Sequence, residues 1–420
     1  MKTELDRCLD VLADQRDTVI TLQTELTARR GLGPDNGGDG EAAKAAFIES
    51  LLHSYGVTDI VHVDAADERV NGGLRPNIVA RVQGKSKRTL WLFGHMDVVP
   101  TGDLSLWSGD PWQVRVTDAQ GNLDPAGDWL IGRGVEDNQQ AIVSALLLAQ
   151  ALHQTQSTPE LSLGMVFMAD EETGNTYGMD YLLATRPDLF APDDLYIIPD
   201  AGSATGVAIE VAEKGMLWVK FTVTGKQCHA STPHKGINAC VASAALTLAL
   251  AELPARFPQQ NELFKPASST FAPTRHDANV PNINTIPGKE VLYLDCRIVP
   301  ELNKQAVLDA ISAICATVAE QYHVQIAHEL VLDHPAEPVT PLDAPVVTSL
   351  MRAARDEYGI APQAVGIGGG TVAAGLRHLG RAAVAWSRIE NTCHSPDERA
   401  RISSAIGDAR TFARMLFNHE

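Results

Sequence analysis

The stretch Thr89-Leu90-Trp91-Leu92-Phe93-Gly94-His95-Met96-Asp97 runs from an almost wholly apolar half into a polar tip. The same arrangement recurs three times. Leu161 to Met168 leads into Asp170-Glu171-Glu172, and Leu195-Tyr196-Ile197-Ile198 leads into Pro199-Asp200. Ala382 to Trp386 leads, through a short loop, to Cys393-His394. Short apolar runs without polar alternation suit strands buried on both faces, as in a parallel sheet. Between them lies a helical pattern, Asn138 to His153, with Ile142, Leu146, Ala149 and Leu152 on one face. Strand and helix alternate, so the expected class is α/β: a mostly parallel central sheet flanked by helices. In such sheets ligands gather at the carboxyl ends of the strands, where the His, Asp and Glu residues fall.

A different order occupies roughly residues 217–332. Strand-like Leu217 to Thr224 precedes helix-like Ile237 to Leu253. Strand-like Val291 to Val299 precedes helix-like Lys304 to Gln321, and a last strand, Val324 to Leu330, precedes a Pro-rich stretch. We therefore expect residues 1–214 and 331–420 to form one domain, with 215–330 inserted as a separate α+β unit.

The chain has 420 residues, 45% of them hydrophobic, enough for a sizeable core. Its net charge of −18 argues against nucleic acid and against an anionic membrane surface as partners. The six cysteines form no C-x-x-C pair and no disulfide-framework spacing, which suits a reducing cytoplasm. Residues 1–30 carry mixed charges and no apolar core of a signal peptide, and are expected to form an amphipathic surface helix. The most continuous apolar stretch, Ala141 to Leu152, is too short to span a bilayer.

Singly, the polar tips have ordinary explanations: Asp137 as a helix N-cap, Asp170-Glu171-Glu172 as a solvated loop, His394 as a loop histidine. Together they point to one rim. His95 and Asp97, two apart on an extended strand end, share a side, and a carboxylate behind an imidazole fixes its tautomer. His95, His394, Asp137, Asp200 and one of the two adjacent glutamates make a ligand set for two divalent ions, one carboxylate bridging. Mixed nitrogen and oxygen ligation suits Zn²⁺, with Co²⁺ or Mn²⁺ as alternatives. The other glutamate is then free to act as general base.

These motifs resemble the M20 metallopeptidase family, which includes acetylornithine deacetylase, succinyl-diaminopimelate desuccinylase, aminoacylase-1 and a glutamate carboxypeptidase. The resemblance runs from about Arg75-Pro76-Asn77-Ile78-Val79-Ala80 to Cys393-His394-Ser395-Pro396-Asp397-Glu398. It implies that His95 and Asp200 hold one metal, Glu172 and His394 the other, and that Asp137 bridges them. It makes Glu171 the base, has Asp97 orient His95, and expects a cis bond between Asp137 and Asn138. The inserted unit resembles the family's lid or dimerisation domain through Gly225-Lys226-Gln227-Cys228-His229-Ala230-Ser231 and Pro233-His234-Lys235-Gly236-Ile237-Asn238-Ala239. His229 is thereby implied as an oxyanion donor. Asn284, Arg297 and the loop Gly368-Gly369-Gly370-Thr371 are implied as substrate contacts. The alternatives for these are a turn histidine, an Arg297 paired with Asp295, and a plain tight turn.

Two departures stand out. The bridging motif usually continues with Lys-Gly, and here reads Asn138-Gln139-Gln140. Many relatives follow Gly-Thr with Asp-Ala-Arg, where this chain has Val372-Ala373-Ala374. The implied activity is hydrolysis of the amide of a small N-acyl amino acid, a substrate carrying a carboxylate, by a cytoplasmic homodimer joined through the inserted domain. A strand edge near Leu217 to Thr224 with the Ile237 to Leu253 helix is the expected contact. The competing activities are a dipeptidase or carboxypeptidase on the same scaffold, and a non-catalytic amino-acid-binding protein.

Overall fold

The computed structural model describes residues 2–418. The chain folds as two compact units: Met1–Val211 with Thr340–Ala364 and Thr371–Glu420, and Ala212–Val339 with Val365–Gly370.

The strands that matter are, in chain order, β1 (Asp59–His62), β2 (Ile78–Val82), β3 (Thr89–His95), β4 (Ser162–Met168), β5 (Leu195–Gly202), β6 (Ala208–Glu213), β7 (Gly215–Thr224), β8 (Thr270–His276), β9 (Lys289–Ile298), β10 (Gln325–His334), β11 (Gln363–Ile367) and β12 (Ala383–Ser387). An eight-stranded sheet has the order β1-β2-β4-β3-β5-β12-β6-β11. Its four central strands, β4, β3, β5 and β12, are parallel. The pairs β1–β2, β2–β4 and β12–β6 are antiparallel, so the sheet is mixed, with the expected parallel arrangement at its centre.

All seven residues of β3 and of β4 are buried, as their unbroken apolar runs require. One face of the sheet carries Trp91, Phe93, Val166, Met168, Tyr196 and Ile198, packed with Phe190, Met179, Leu182 and Leu376. Trp91 and Phe190 meet edge to face at 5.2 Å. Gly164 makes room for this: a Cβ there would lie 2.2 Å from the Trp91 ring. The Gln139–Thr155 helix packs on the opposite face and is covered by the Ile402–Phe417 helix. Residues 4–28 form two helices, Glu4–Ala13 and Arg16–Ala28, not the single surface helix expected. Leu12, Val19 and Leu26 are buried against the sheet's helical layer, so this segment is core on one side.

The second unit is a four-stranded antiparallel sheet, β8-β9-β7-β10, backed by the helices Ala239–Leu250 and Lys304–Tyr322. The expectation that Leu217 to Thr224 forms an edge is wrong: β7 is paired on both sides, and β8 and β10 are the edges. The strand that closes the unit in sequence adds beside β7, which sequence proximity does not reveal. The stretch Ala239–Arg256, and not Ala141 to Leu152, is the one apolar and long enough to cross a membrane among the described residues. Ala239, Ala242, Leu246 and Leu250 within it are buried.

Candidate active site

Because the four central strands are parallel, their carboxyl ends share one rim. His95 ends β3, Glu171 and Glu172 follow β4, Asp200 lies near the end of β5, and the loop after β12 brings in His394. Asp137 comes from the loop ahead of the Gln139–Thr155 helix, whose start packs beside Gly94. A Cβ on Gly94 would stand 3.0 Å from Ile142 and 3.3 Å from Asn138 Oδ1.

The Asp137 carboxylate sits between two imidazoles, with Oδ1 at 2.9 Å from His95 Nε2 and Oδ2 at 3.0 Å from His394 Nε2. Glu172 Oε2 is 3.0 Å from the same His394 nitrogen, and Asp200 Oδ1 is 3.8 Å from His95 Nε2. Donor atoms of His95, Asp137 and Glu172 cluster within 4.8 Å of one another, as do those of His95, Glu171 and Asp200. The structure thus places a Glu171 oxygen among the donor atoms of His95 and Asp200, at the spacing of an expected ligand. Asp137 is not a helix cap; Asn138 holds that position. The Asp137–Asn138 peptide is cis.

Asp97 serves two segments. Its carbonyl oxygen lies 3.1 Å and its Oδ1 3.3 Å from His95 Nδ1, while its carboxylate accepts the amides of Glu171 (3.1 Å) and Glu172 (2.9 Å). Acceptors at Nδ1 hold one ring proton there, and without a metal a second proton at Nε2 donates to Asp137 Oδ1 at 2.9 Å, keeping the ring cationic. A metal ion at Nε2 would take the place of that second proton. Glu172 Oε1 is buried with no hydrogen-bond partner among the described residues, an unusual state that a metal ion would relieve. Two imidazoles, three or four carboxylates and an orphaned carboxylate oxygen fit divalent cations.

The electrostatics of the ion-free cluster agree. Burial pushes Glu171 well above the usual carboxylate range, with Asp200, Glu172 and Asp97 adding to it and His95 opposing. Burial likewise raises Asp200 to about 7. Hydrogen bonds to Asp137 and Glu172 raise His394 to about 10. At Asp137 burial works upward, but hydrogen bonds from His394 and His95 prevail and hold it below its ordinary value.

Both Asp200 and His394 hold protons in the folded, metal-free protein at pH values where the unfolded chain has released them. The native state then binds the more protons, and stability falls as pH rises. For Asp200 the window is about pH 4 to 7; for His394 it is about 6.5 to 10. Metal-free protein is therefore expected to melt at progressively lower temperature between pH 5 and 9, with the gain on adding Zn²⁺ widening over the same range. At 1,000 times Kd that gain is about 4 kcal/mol. A metal-free melting temperature that is flat or rising over this range would contradict the assignment.

Three further residues brace the cluster. Asn138 Nδ2 donates to Asp200 Oδ1 (2.7 Å) and to the Pro199 carbonyl (2.9 Å), and its Oδ1 accepts from the His95 amide (3.3 Å). Gln139 and Gln140, which replace the usual Lys-Gly, are buried. Gln139 accepts from Thr27, and Gln140 Nε2 contacts Ser387 Oγ, the Arg388 carbonyl and Asp408, each at 2.9 Å. That departure ties the helix to the end of β12.

In the second unit, His229 pairs with Thr285, and the Ala230 amide donates to the Asn284 carbonyl (2.8 Å), so His229 and Asn284 stand at one end of a two-stranded antiparallel ladder. The Ser231 amide donates to His229 Nδ1 at 3.1 Å. An amide can only donate, so neutral His229 carries its proton on Nε2 and presents a donor. Arg297 is paired with Asp295, with Nε at 2.9 Å from Oδ1 and Nη2 at 3.1 Å from Oδ2, and it also donates from Nη1 to the Gly368 carbonyl (2.8 Å). Arg297 therefore meets the exposed Gly368-Gly369-Gly370 loop, as well as the neighbour expected of a surface ion pair. Thr371 falls in the first unit, where its hydroxyl accepts the Ala373 amide at the start of the Ala373–His378 helix.

The fold and this cluster define a metal-dependent hydrolase. Residues 91–418 match Peptidase family M20/M25/M40, and the chain belongs to that family. It is 35% identical to an uncharacterized metallohydrolase of Methanococcus maripaludis, over 95% of this chain and 99% of that protein. It is 26% identical to a succinyl-diaminopimelate desuccinylase of Cereibacter sphaeroides, over 94% and 97%. Among solved structures, human carnosine dipeptidase 1 superposes with a TM-score of 0.75 at 16% identity, covering 100% of this chain and 99% of that one, a likeness of fold.

Proposed function

We propose that this protein is a two-metal amidohydrolase that releases the amino acid from a small N-acyl amino acid. The observation that carries the proposal is the Asp137 carboxylate seated between His95 and His394, with Glu171 beside the cluster. In this reading His95 and Asp200 would hold one ion, Glu172 and His394 the other, and Asp137 would serve both. The N/O donor set favours Zn²⁺, with Co²⁺ or Mn²⁺ as alternatives. When bound, the ions supply positive charge at the scissile carbonyl and acidify water.

The chain's own residues do the rest. Glu171, kept basic enough by its buried, acid-rich surroundings, removes a proton from the attacking water. The new oxygen–carbon bond forms as the carbonyl π electrons move onto oxygen. His229 Nε2–H is assigned as donor to that oxygen. Glu171 then returns the proton to the amine nitrogen as the carbon–nitrogen bond breaks. Arg297 and the Gly369–Gly370 amides are assigned to the substrate carboxylate, with Asn284 and Thr371 alongside. The distant desuccinylase relative supports an acyl-amino-acid substrate.

We also propose a cytoplasmic homodimer joined through the second unit. Its edge strand β10 exposes Leu330 (43%) and Val331 (52%), and its Ala239–Leu250 helix exposes Val241 and Leu248. The six free cysteines support a reducing compartment. Light scattering is expected to give twice the chain mass; a monomer would remove the dimer.

The test of function is metal content with assays of metal-free and Zn²⁺-, Co²⁺- or Mn²⁺-restored protein on acetyl- and succinyl-amino acids beside dipeptides. About two ions per chain and metal-dependent release of amino acid are expected. Cleavage of dipeptides alone would make the protein a dipeptidase on the same scaffold. Bound ions without turnover on any substrate would favour a binding protein.

A further inference from the structure

Two buried glutamates outside the ligand set, Glu136 and Glu398, are crossed between the loops that carry Asp137 and His394. Glu398 lies on the His394 loop but faces the other one. Its Oε1 accepts the amides of Glu136 (2.9 Å) and Asp137 (3.0 Å), and its Oε2 accepts the Gly134 amide (2.9 Å) and Arg133 Nη1 (2.6 Å). Glu136 lies on the Asp137 loop and faces the His394 loop. It accepts the amides of Asn391 (2.6 Å) and Thr392 (3.1 Å) and the Thr392 hydroxyl. Arg133 is itself held by the Pro100 carbonyl at 3.3 Å and the Trp107 ring at 5.1 Å.

Neither glutamate has a donor atom in the metal-ligating groups, and both are almost fully buried. Burying two carboxylates is costly unless several donors converge on each. Here the donors are the backbone amides of the loops that present the ligands. Each carboxylate grips the backbone of the opposite loop, so the distance between Asp137 and His394 is set twice over. A single staple would leave one loop free to pivot about it; two crossed staples remove that freedom.

We propose that Glu136 and Glu398 are positioning residues that fix the Asp137–His394 separation and so set the affinity of the metal position made by Glu172 and His394. This rests on the two-metal reading above. The opposite position, made by His95 and Asp200, has braces of its own, Asp97 at the His95 ring and Asn138 at Asp200 and the His95 amide, and depends much less on the crossed pair.

The test is Zn²⁺ titration of metal-free wild type, Glu398→Gln and Glu136→Gln against a chromophoric chelator, which counts ions and gives each Kd, with turnover measured in parallel. In each variant one of the two ions is expected to lose about 10–100-fold in affinity, the other no more than about 3-fold. Excess Zn²⁺ is expected to restore kcat with KM unchanged. Thr392→Val, which removes one hydroxyl donor, is the second variant should either glutamate variant fail to fold, and a several-fold loss at the same ion is expected. Two ions bound as in wild type by the variants that fold would overturn the proposal, whatever their melting temperature. So would equal weakening of both ions. Wild type binding fewer than two ions would instead refute the two-metal reading itself.

Discussion

A Glu171→Gln variant is expected to lose about 10²–10⁴-fold in kcat, the range ascribed to a positioned general acid–base, while binding the same number of metal ions as wild type. The change is nearly isosteric, and the backbone at residue 171 is held by Asp97 through an amide that the substitution leaves in place. An amide side chain cannot take a proton from water at neutral pH, so the chemical step loses its base while the surroundings keep their shape. The metal count is the part that discriminates, because Glu171 lies within the same 4.8 Å group as His95 and Asp200. If Glu171 is a ligand, the variant loses an ion or binds it far more weakly. If it is the base, metal content is retained and only turnover falls. Full activity on the substrate panel would remove Glu171 from both roles.

Asp137→Ala is expected to be more severe. Asp137 is the one carboxylate with an oxygen on each imidazole among the described residues, at 2.9 and 3.0 Å. Removing it takes a ligand from both ions at once and leaves Glu171, Glu172 and Asp200 as a crowd of acids with less positive charge to balance them. After dialysis the variant is expected to hold fewer ions than wild type. Its turnover is expected to fall below about 10⁻³ of wild type, since water without a metal to acidify it is a poor nucleophile. Asp137→Asn, which keeps the shape and removes the charge, should fall between the two. Metal analysis with zinc add-back checks this: two tightly held ions in Asp137→Ala would mean that the carboxylate does not bridge.

Much of this was legible in the sequence because it is local. A fully buried strand writes itself as an unbroken apolar run, and β3, β4, β5 and β12 all do so. Where such a run ends in His, Asp or Glu, the polar group must stand at the strand's carboxyl end. That is enough to gather His95, Glu171, Glu172 and Asp200 at one rim; Asp137, at a helix start, and His394, on a loop, were placed with them by the resemblance. The shorter or more exposed strands were harder. β6 and β11 carry no distinctive run, and the status of β7 as an inner strand depends on where β10 pairs, which no property of β7 itself encodes.

What only the tertiary structure decided is which groups hold the ligands in place. Asp97 was readable as the partner of His95, two residues away, but not as the acceptor for the Glu171 and Glu172 amides. Asn138 reaches Asp200, Gln140 reaches Asp408, and Glu398 reaches the amides of the Asp137 loop. These bonds depend on which strand ends stand side by side, hence on the order β4-β3-β5-β12. The apolar pattern along a strand records how deeply it is buried, not which strand lies next to it. The residue types suited to holding a metal were therefore determined by the sequence alone, and the bracing that holds their donor atoms together by the packing of segments far apart in it.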